Sequence, residues 1–203
     1  GIPGEFNVYN SLAAVTTCGI IGIPMEVMQD SQSDMKVRGR LEPVEIPGYA
    51  RIFIDYAHNA VSLENVLTTL RQYRPKRLIC LFGCGGNRSA GRRKGMGFVS
   101  GRLADMTVIT SDNPRFESPE AIMTDIETGV LEGGGEYVKI CSRLDAIRYA
   151  LEISDRDDIV LLAGKGHETY QDIEGRRTQM DEREMIRQIL EEKNAGIVRR
   201  CDN

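Results

Sequence analysis

Four short runs of apolar residues along this chain, rich in Ile, Val and Leu, are bounded by turn-forming residues. They cover residues 51–54, 78–82, 107–110 and 158–163. Runs of this kind predict β-strands. At least three of them are followed by a stretch in which apolar residues recur at helical spacing. Strands that alternate with helices indicate an α/β fold built on a parallel sheet.

The first part of the chain has a different pattern. Residues 7–20 have the spacing of a helix, with Leu12, Val15 and Ile20 on one apolar face, and residues 24–30 fit a second, shorter helix. Residues 31–34 are polar and typical of a linker. Because two helices cannot bury their apolar faces alone, we expect this pair to pack against something else.

Caps and spacing predict the elements that come after this pair. Residues 44–46 and 51–55 form strand-like segments around a Pro47-Gly48 turn. Asn59 can cap one helix, and Ser118 with Pro119 begins another that ends at glycines 133–135. Right-handed crossovers would place helices on both faces of the sheet and bring the carboxyl ends of the strands to one edge. We therefore expect a Rossmann-like, mostly parallel sheet with helices on both faces, preceded by the two N-terminal helices.

Composition narrows the possible functions. The chain has 203 residues and a formal net charge of -4, with 28% charged residues of both signs, so nothing electrostatic favours a nucleic-acid partner. No apolar run approaches the roughly 20 residues of a membrane-spanning helix, and the first residues lack the features of a signal peptide. Two histidines and five cysteines without C-x-x-C spacing do not predict a metal site.

Candidate chemistry lies directly after the strands. The segment 83–88, Gly-Cys-Gly-Gly-Asn-Arg, is either a tight strand-to-helix turn or a cradle of backbone N–H groups for an anion, and the sequence leaves both interpretations open. It matches neither the dinucleotide-binding fingerprint nor a P-loop.

Two further motifs suggest a ligand with both charges. Asp112 and Asn113 precede Pro114 in a turn that ends on Arg115, whose planar guanidinium suits a carboxylate, as does Arg88 at the same edge. The segment 164–168, Gly-Lys-Gly-His-Glu, adds the carboxylate of Glu168. Arginines for a carboxylate, with Glu168 and a backbone carbonyl for an ammonium group, predict a zwitterionic ligand.

The remaining polar residues are given smaller roles. Lys165 and His167 are interpreted as supporting residues, since no Ser or Cys nucleophile has matching spacing. Asp55 with His58 resembles an acid–base pair, but a lone histidine at a strand end is more often a structural hydrogen-bonding residue, and we favour that interpretation.

Together these motifs resemble the carboxyl-terminal portion of the Mur ligases, and the resemblance extends over almost the whole chain. It rests on Asn7 and Asn10, on residues 39–43 and 55–58, and on the three loops at 83–88, 112–115 and 164–168. The sequence Asp-Asn-Pro-Arg is the family's signature for diaminopimelate addition, and lysine-adding relatives usually change its final arginine.

The resemblance implies an ATP-dependent amide ligase of peptidoglycan synthesis that requires Mg²⁺ and acts in the cytoplasm as a monomer. ATP phosphorylates the D-glutamate carboxylate of UDP-MurNAc-L-Ala-D-Glu, and the amine of meso-diaminopimelate attacks the acyl phosphate. The residues implied for the far end of diaminopimelate are Arg88, Asn113, Arg115, Gly164 and Glu168. Those implied for ATP are Asn7 and Asn10 near adenine, Arg40 near the phosphates and Asp55 near the ribose.

The resemblance also divides the chain. Residues 1–38 correspond to the end of the family's ATPase domain and residues 39–203 to its amino-acid-binding domain. The family's P-loop, magnesium ligands, modified lysine and uridine-binding domain have no counterpart here, so we expect a fragment that is inactive alone. Smaller departures are Asn59-Ala60, where Thr-Pro is common, and Asn87, where Asp is frequent.

Three alternatives remain open at this point. The chain could come from a lysine-adding ligase or a folylpolyglutamate-type ligase, although Arg115 argues against both. It could also be a module that binds a zwitterion without catalysis.

Overall fold

The computed structural model describes residues 3–33 and 35–195 of the chain. In chain order, its helices and strands are α1 (Glu5–Ile20), α2 (Met25–Ser33), β1 (Glu42–Val44), β2 (Arg51–Asp55), α3 (Ala60–Arg71), β3 (Leu78–Phe82), α4 (Ala90–Leu103), β4 (Met106–Ile109), α5 (Pro119–Glu132), β5 (Tyr137–Lys139), α6 (Arg143–Ile153), β6 (Ile159–Ala163), β7 (Tyr170–Ile173), β8 (Arg176–Gln179) and α7 (Glu182–Asn194). Among the described residues, none of these helices has both the length and the apolar character needed to cross a bilayer.

The main sheet has six strands in the order β1-β2-β6-β3-β4-β5. All neighbours are parallel except β1, which pairs antiparallel with β2. Helices α3, α4 and α5 cover one face, and α6 and α7 cover the other. On β3, Cys80 and Phe82 point to the first layer whereas Ile79 and Leu81 point to the second, which is why the run is continuously apolar. The predicted Rossmann-like architecture is confirmed.

The predicted caps form as expected. The Asn59 side chain accepts a hydrogen bond from Ser62 N, and the Ser62 side chain accepts one from Asn59 N, which completes a capping box at the start of α3. Ser118 caps α5 by accepting a hydrogen bond from Ala121 N, with Pro119 in the first turn. These caps fix where each helix leaves the loop that comes after a strand.

Several predicted boundaries are wrong. Strand β1 covers Glu42–Val44 and not residues 44–46, because Ile46 O accepts the Tyr49 N–H in the turn after the strand. The predicted linker at 31–34 is largely helical, since α2 continues to Ser33, and residue 34 lies outside the described residues. Strand β4 begins at Met106, one residue early.

Two features were not predicted, β5 and the β7–β8 hairpin. Strand β5 has three half-exposed or exposed residues, and β8 is exposed throughout, so neither has an apolar pattern. The hairpin turns on Glu174 and Gly175, whose φ angles are 51° and 77°. Two positive φ values in a two-residue loop correspond to a type I′ turn, which matches the twist of the strands.

Helix α1 contributes little to the core. None of its residues is buried, and Leu12 and Ile20 are 57% and 81% exposed. Phe6 packs against the α3–α5 layer, and Asn7 donates to the Pro3 carbonyl. Among the described residues of α1, only Phe6 packs against that layer, so the apolar face predicted for this helix stays largely exposed.

Hydrogen exchange should reflect this difference. Because few tertiary contacts offset chain entropy in the first two helices, amides in residues 7–30 should exchange faster than those in β3 and β6. The measurement is native-state exchange on the 203-residue chain, detected by mass spectrometry. Equal protection of the helices and the strands would show that the helices are held by contacts of comparable strength.

Candidate functional site

A cleft lies at the edge of the sheet where β2, β3, β4 and β6 end. Its volume is about 170 Å³. The five residues that the family resemblance assigned to diaminopimelate all line this cleft, as do His58 and Asp112. The full lining, which includes side chains that were not predicted, is Tyr56, His58, Gly83, Cys84, Gly85, Arg88, Arg92, Arg93, Asp112, Asn113, Arg115, Gly164 and Glu168. Segments that are far apart in sequence therefore meet as the parallel topology requires.

The glycine loop after β3 is packed against the turn after β4. Gly86 N donates to Asn113 O over 2.8 Å, and the Arg115 guanidinium donates to Gly86 O over 2.5 Å. A Cβ atom on Gly86 would lie 1.8 Å from the Pro114 carbonyl oxygen, so only glycine fits. The sequence left two interpretations open for this loop, a tight strand-to-helix turn and a cradle for an anion. These contacts account for the tight turn, in which glycine allows the two backbones to approach closely.

Arg115 is held in an unusual backbone conformation. Its φ is 54°, in the left-handed region that residues with a side chain seldom adopt. The hairpin supports it on both sides, because Arg115 N donates to Asp172 O over 3.0 Å and Glu174 N donates to Arg115 O over 2.7 Å. The unpredicted hairpin therefore fixes the direction in which the Arg115 side chain leaves the turn.

A buried arginine that sequence reasoning missed organises the other side of the cleft. Arg93 is paired with Glu117 at 2.8 Å and Asp125 at 2.9 Å, and it also donates to the Arg88 carbonyl at 3.3 Å. Glu117 in turn accepts a hydrogen bond from Asn87 N. The Arg88 side chain is exposed and has no ion-pair partner among residues 3–33 and 35–195. Its guanidinium group is therefore open to a ligand in the cleft.

Lys165 lies beneath the cleft and does not line it. Its side chain is 0% exposed, and its ammonium group contacts Asn113 Oδ1 at 2.9 Å, Glu168 Oε2 at 2.9 Å and Asp112 Oδ1 at 3.3 Å. Burial tends to raise the pKa of Glu168, but Lys165, with Asn113 and the Tyr56 hydroxyl, holds that pKa below its usual value. Glu168 is therefore a carboxylate at neutral pH.

The two predicted histidines differ in position, since His58 lines the first cleft and His167 does not. His58 Nδ1 lies 2.9 Å from Tyr56 O, and its ring is 4.9 Å from the Tyr56 ring. His167 is exposed, lies against the Tyr56 ring as well, and is outside the cleft lining. The described residues show no hydrogen bond between Asp55 and His58, so the structural interpretation of this pair agrees with the geometry.

A second, larger cleft of about 730 Å³ lies between α1 and the start of α3. Asn7, Asn10, Arg40 and Asp55 all line it, and Phe6 and Val66 add apolar surface. Asn7 and Asn10 lie one helical turn apart on α1, with Asn10 Nδ2 3.3 Å from Asn7 Oδ1. Amides beside apolar side chains suit a heteroaromatic base, so the donor set fits adenine.

Arg40 and Asp55 connect the two clefts. The Arg40 guanidinium stacks on Tyr56 at 5.1 Å, and Tyr56 lines the first cleft. Asp55 is buried, and its oxygens accept the N–H groups of Leu41 and Ala57, each at 2.7 Å. Burial raises the pKa of Asp55 above its usual value, although these two hydrogen bonds act to lower it. Asp55 thereby fixes the loop that carries Arg40, whose charge suits phosphate.

The described residues contain no cluster of metal-ligating side chains. No group of three or more His, Cys, Asp or Glu side chains there is arranged to hold a metal ion.

A buried ion pair below the cleft was also missed. Arg143 and Glu182 are each 1% exposed and lie 2.8 Å apart. Arg143 also donates to the carbonyls of Ala163 at 2.9 Å and Ser111 at 3.3 Å, at or just beyond the ends of β6 and β4. Burial raises the pKa of Glu182 even with Arg143 beside it. The pair ties α6 and α7 to the two strand ends from which the site loops emerge.

Comparison with known proteins gives concordant matches. Residues 39–166 match the family model described as "Mur ligase, glutamate ligase domain". A UDP-N-acetylmuramoyl-L-alanyl-D-glutamate–2,6-diaminopimelate ligase from Caldanaerobacter subterraneus subsp. tengcongensis is 46% identical over 191 residues, which are 94% of this chain and 40% of that protein. A solved structure of a ligase with the same name is 34% identical, with a TM-score of 0.74 over 95% of this chain and 40% of that one.

One more distant structure shares the fold alone. It is a folylpolyglutamate synthase from Mycobacterium tuberculosis, 21% identical, with a TM-score of 0.64 over 80% of this chain and 38% of its own. The chain spans about two-fifths of the length of the curated relative and of the solved diaminopimelate ligase that it matches.

Proposed function

The chain belongs to the Mur ligases, as the glutamate ligase domain of that family, and from this premise we propose that it is part of the ATP-dependent ligase that joins meso-diaminopimelate to UDP-MurNAc-L-Ala-D-Glu. The observation that carries the proposal is the first cleft, where the guanidinium groups of Arg88 and Arg115 and the carboxylate of Glu168 line one small space. Such a space suits the far end of diaminopimelate, which has one carboxylate and one ammonium group.

Each residue of the first cleft has a distinct proposed contact. Arg88, Asn113 and Arg115 donate to the far carboxylate, and Glu168 and the Gly164 carbonyl accept from the far ammonium. Among the described residues, Glu168 Oε1 has only the long 3.4 Å contact from the Tyr56 hydroxyl, which leaves it able to accept further hydrogen bonds. Lysine has no far carboxylate for Arg88 and Arg115 to hold, which favours diaminopimelate over a lysine-adding reaction.

The second cleft is the proposed ATP side. Asn7 and Asn10 would contact adenine, Arg40 the phosphates, and Asp55 the ribose through lone pairs that its backbone partners leave open. ATP, when bound, supplies the phosphoryl group that activates the D-glutamate carboxylate. The contribution of this chain to the reaction is to hold the far end of diaminopimelate so that the near amine can attack the activated carbonyl carbon. In that step the new C–N bond forms, the nitrogen loses a proton, and phosphate leaves.

The proposed domain division is consistent with these two clefts. We assign residues 1–38 to the end of an ATPase domain and residues 39–203 to the amino-acid-binding domain. The family match begins at residue 39, and α1 adds almost nothing to the core, which supports this division. An enzyme with these substrates would act in the cytoplasm, and we propose that it does so as a monomer without a nucleic-acid partner.

Calorimetry on the full-length protein tests the ligand class. We expect meso-diaminopimelate to bind about 30- to 150-fold more tightly than lysine, since charge-assisted hydrogen bonds to the far carboxylate contribute about 2–3 kcal/mol. Pimelate, which has both carboxylates and no amine, is the matched control and should also bind weakly, because Glu168 would then face a ligand without an ammonium group. Equal affinity for diaminopimelate and lysine would contradict the proposal.

A further inference from the structure

Lys165 is buried behind the first cleft, and its polar partners are residues of that cleft. Its ammonium is fully buried and contacts three acceptors, one each on Asn113, Glu168 and Asp112, and it lies 5.3 Å from the centre of the Tyr170 ring. A buried ammonium is costly unless its hydrogens all find partners, and this one has a partner for each. All three acceptors belong to residues that line the cleft.

The same contacts fix which way the Asn113 amide faces. Asn113 Oδ1 accepts from Lys165 Nζ at 2.9 Å and from Asp172 N at 2.9 Å. Asn113 Nδ2 donates to Glu168 Oε2 at 3.0 Å. Turning the amide over would place its NH₂ group against two donors and its oxygen against a carboxylate. Both ends of the amide therefore favour a single orientation.

This orientation matters for what the cleft can bind. The Asn113 NH₂ group has two hydrogens, and within the described part of the chain only Glu168 accepts one of them. Asn113 lines the cleft beside Arg115, so the second hydrogen is available to an acceptor there. A carboxylate is such an acceptor, whereas an amide oxygen at the same place would repel it.

We propose that Lys165 is a positioning residue that locks the Asn113 amide with its N–H edge toward the carboxylate of the bound amino acid. The inference rests on the proposed function, because it takes the ligand's far carboxylate as the group that Asn113 meets. It adds a role for a residue that lies outside the cleft lining. It also explains why Glu168 can lie next to a carboxylate-binding edge, since Lys165 offsets its charge.

The first test is a double-mutant cycle in the full-length ligase, with diaminopimelate and lysine compared at saturating ATP and UDP-MurNAc-L-Ala-D-Glu. Lys165→Met should raise the KM for diaminopimelate about 10-fold, while the KM for lysine changes less than about 2-fold. In an Asn113→Ala background, Lys165→Met should add less than about 2-fold, because the amide that it positions is already gone. Equal losses for both amino acids, or a full loss of about 10-fold in the Asn113→Ala background, would overturn the inference.

A second variant tests the orientation of the Asn113 amide even if Lys165→Met does not fold, which circular dichroism would show. Asn113→Asp puts an oxygen where the locked NH₂ group lies, so it should raise the KM for diaminopimelate at least about 3-fold more than Asn113→Ala does. A KM equal to or below that of Asn113→Ala would mean that the amide does not present N–H to the ligand. A wild-type enzyme that uses lysine as well as diaminopimelate would instead contradict the proposed function.

Discussion

Replacement of Arg143 by methionine should lower the free energy of unfolding by about 3–5 kcal/mol, the usual cost of removing one partner from a buried ion pair. Glu182 is 1% exposed and would be left buried without its counter-charge. The carbonyls of Ala163 and Ser111 would lose a donor at the same time. Denaturant unfolding of the 203-residue chain measures the effect, with Arg102→Met, an exposed arginine on α4, as the matched control that should change stability by less than about 0.5 kcal/mol.

A second substitution separates the charge from the packing. Arg143→Met combined with Glu182→Leu should recover part of the lost stability, because both charges are then gone and similar volumes remain. Recovery should be incomplete, since the Ala163 and Ser111 carbonyls stay without the Arg143 donor. A single Arg143→Met variant that loses less than about 1 kcal/mol would show that the pair is not held as tightly as its burial indicates.

The central strands of the sheet were predictable because burial on both sides produces long apolar runs. Residues 78–82 and 159–163 lie at the centre of the sheet and contact helices on each face. The caps at Asn59 and Ser118 were also predictable, since capping depends on a few adjacent residues. The β7–β8 hairpin was not, because its exposed strand, Arg-Arg-Thr-Gln, pairs through backbone groups and has no apolar side chain.

The cleft residues could be grouped from sequence because each lies in a loop that begins where a strand ends. Topology alone brings Arg88, Asn113 and Glu168 to one edge. The buried charges behind them could not be found in the same way. Arg93 and Arg143 look like surface residues in sequence, since arginine is usually exposed, and only the packed structure places acidic partners around them.

Arg115→Ala in the full-length enzyme should reduce kcat/KM for diaminopimelate by about 30- to 150-fold, which corresponds to about 2–3 kcal/mol for a charge-assisted contact to the far carboxylate. The loss should appear mainly in KM for diaminopimelate. The constants for ATP and UDP-MurNAc-L-Ala-D-Glu should change little, because Arg115 lines the first cleft and not the second. Lysine use should fall far less, since lysine has no carboxylate for Arg115 to hold.

Arg115 also has a structural contact, so the comparison between the amino acids is essential. Its guanidinium donates to Gly86 O over 2.5 Å, and loss of that bond would loosen the glycine loop for any substrate. Arg115→Lys keeps a positive charge without the planar fork and should give an intermediate loss. Arg102→Ala, outside the cleft lining, is the matched control and should leave all constants unchanged.

The most direct single measurement is the ratio of kcat/KM for meso-diaminopimelate to that for lysine, in the wild-type enzyme and in Arg115→Ala. If Arg115 binds the far carboxylate, the wild-type ratio should strongly favour diaminopimelate, and the substitution should lower it by about 30-fold or more. If the substitution reduces both efficiencies equally and leaves the ratio unchanged, Arg115 is only a turn residue that supports the loop at Gly86, and the assignment of this cleft to diaminopimelate is wrong.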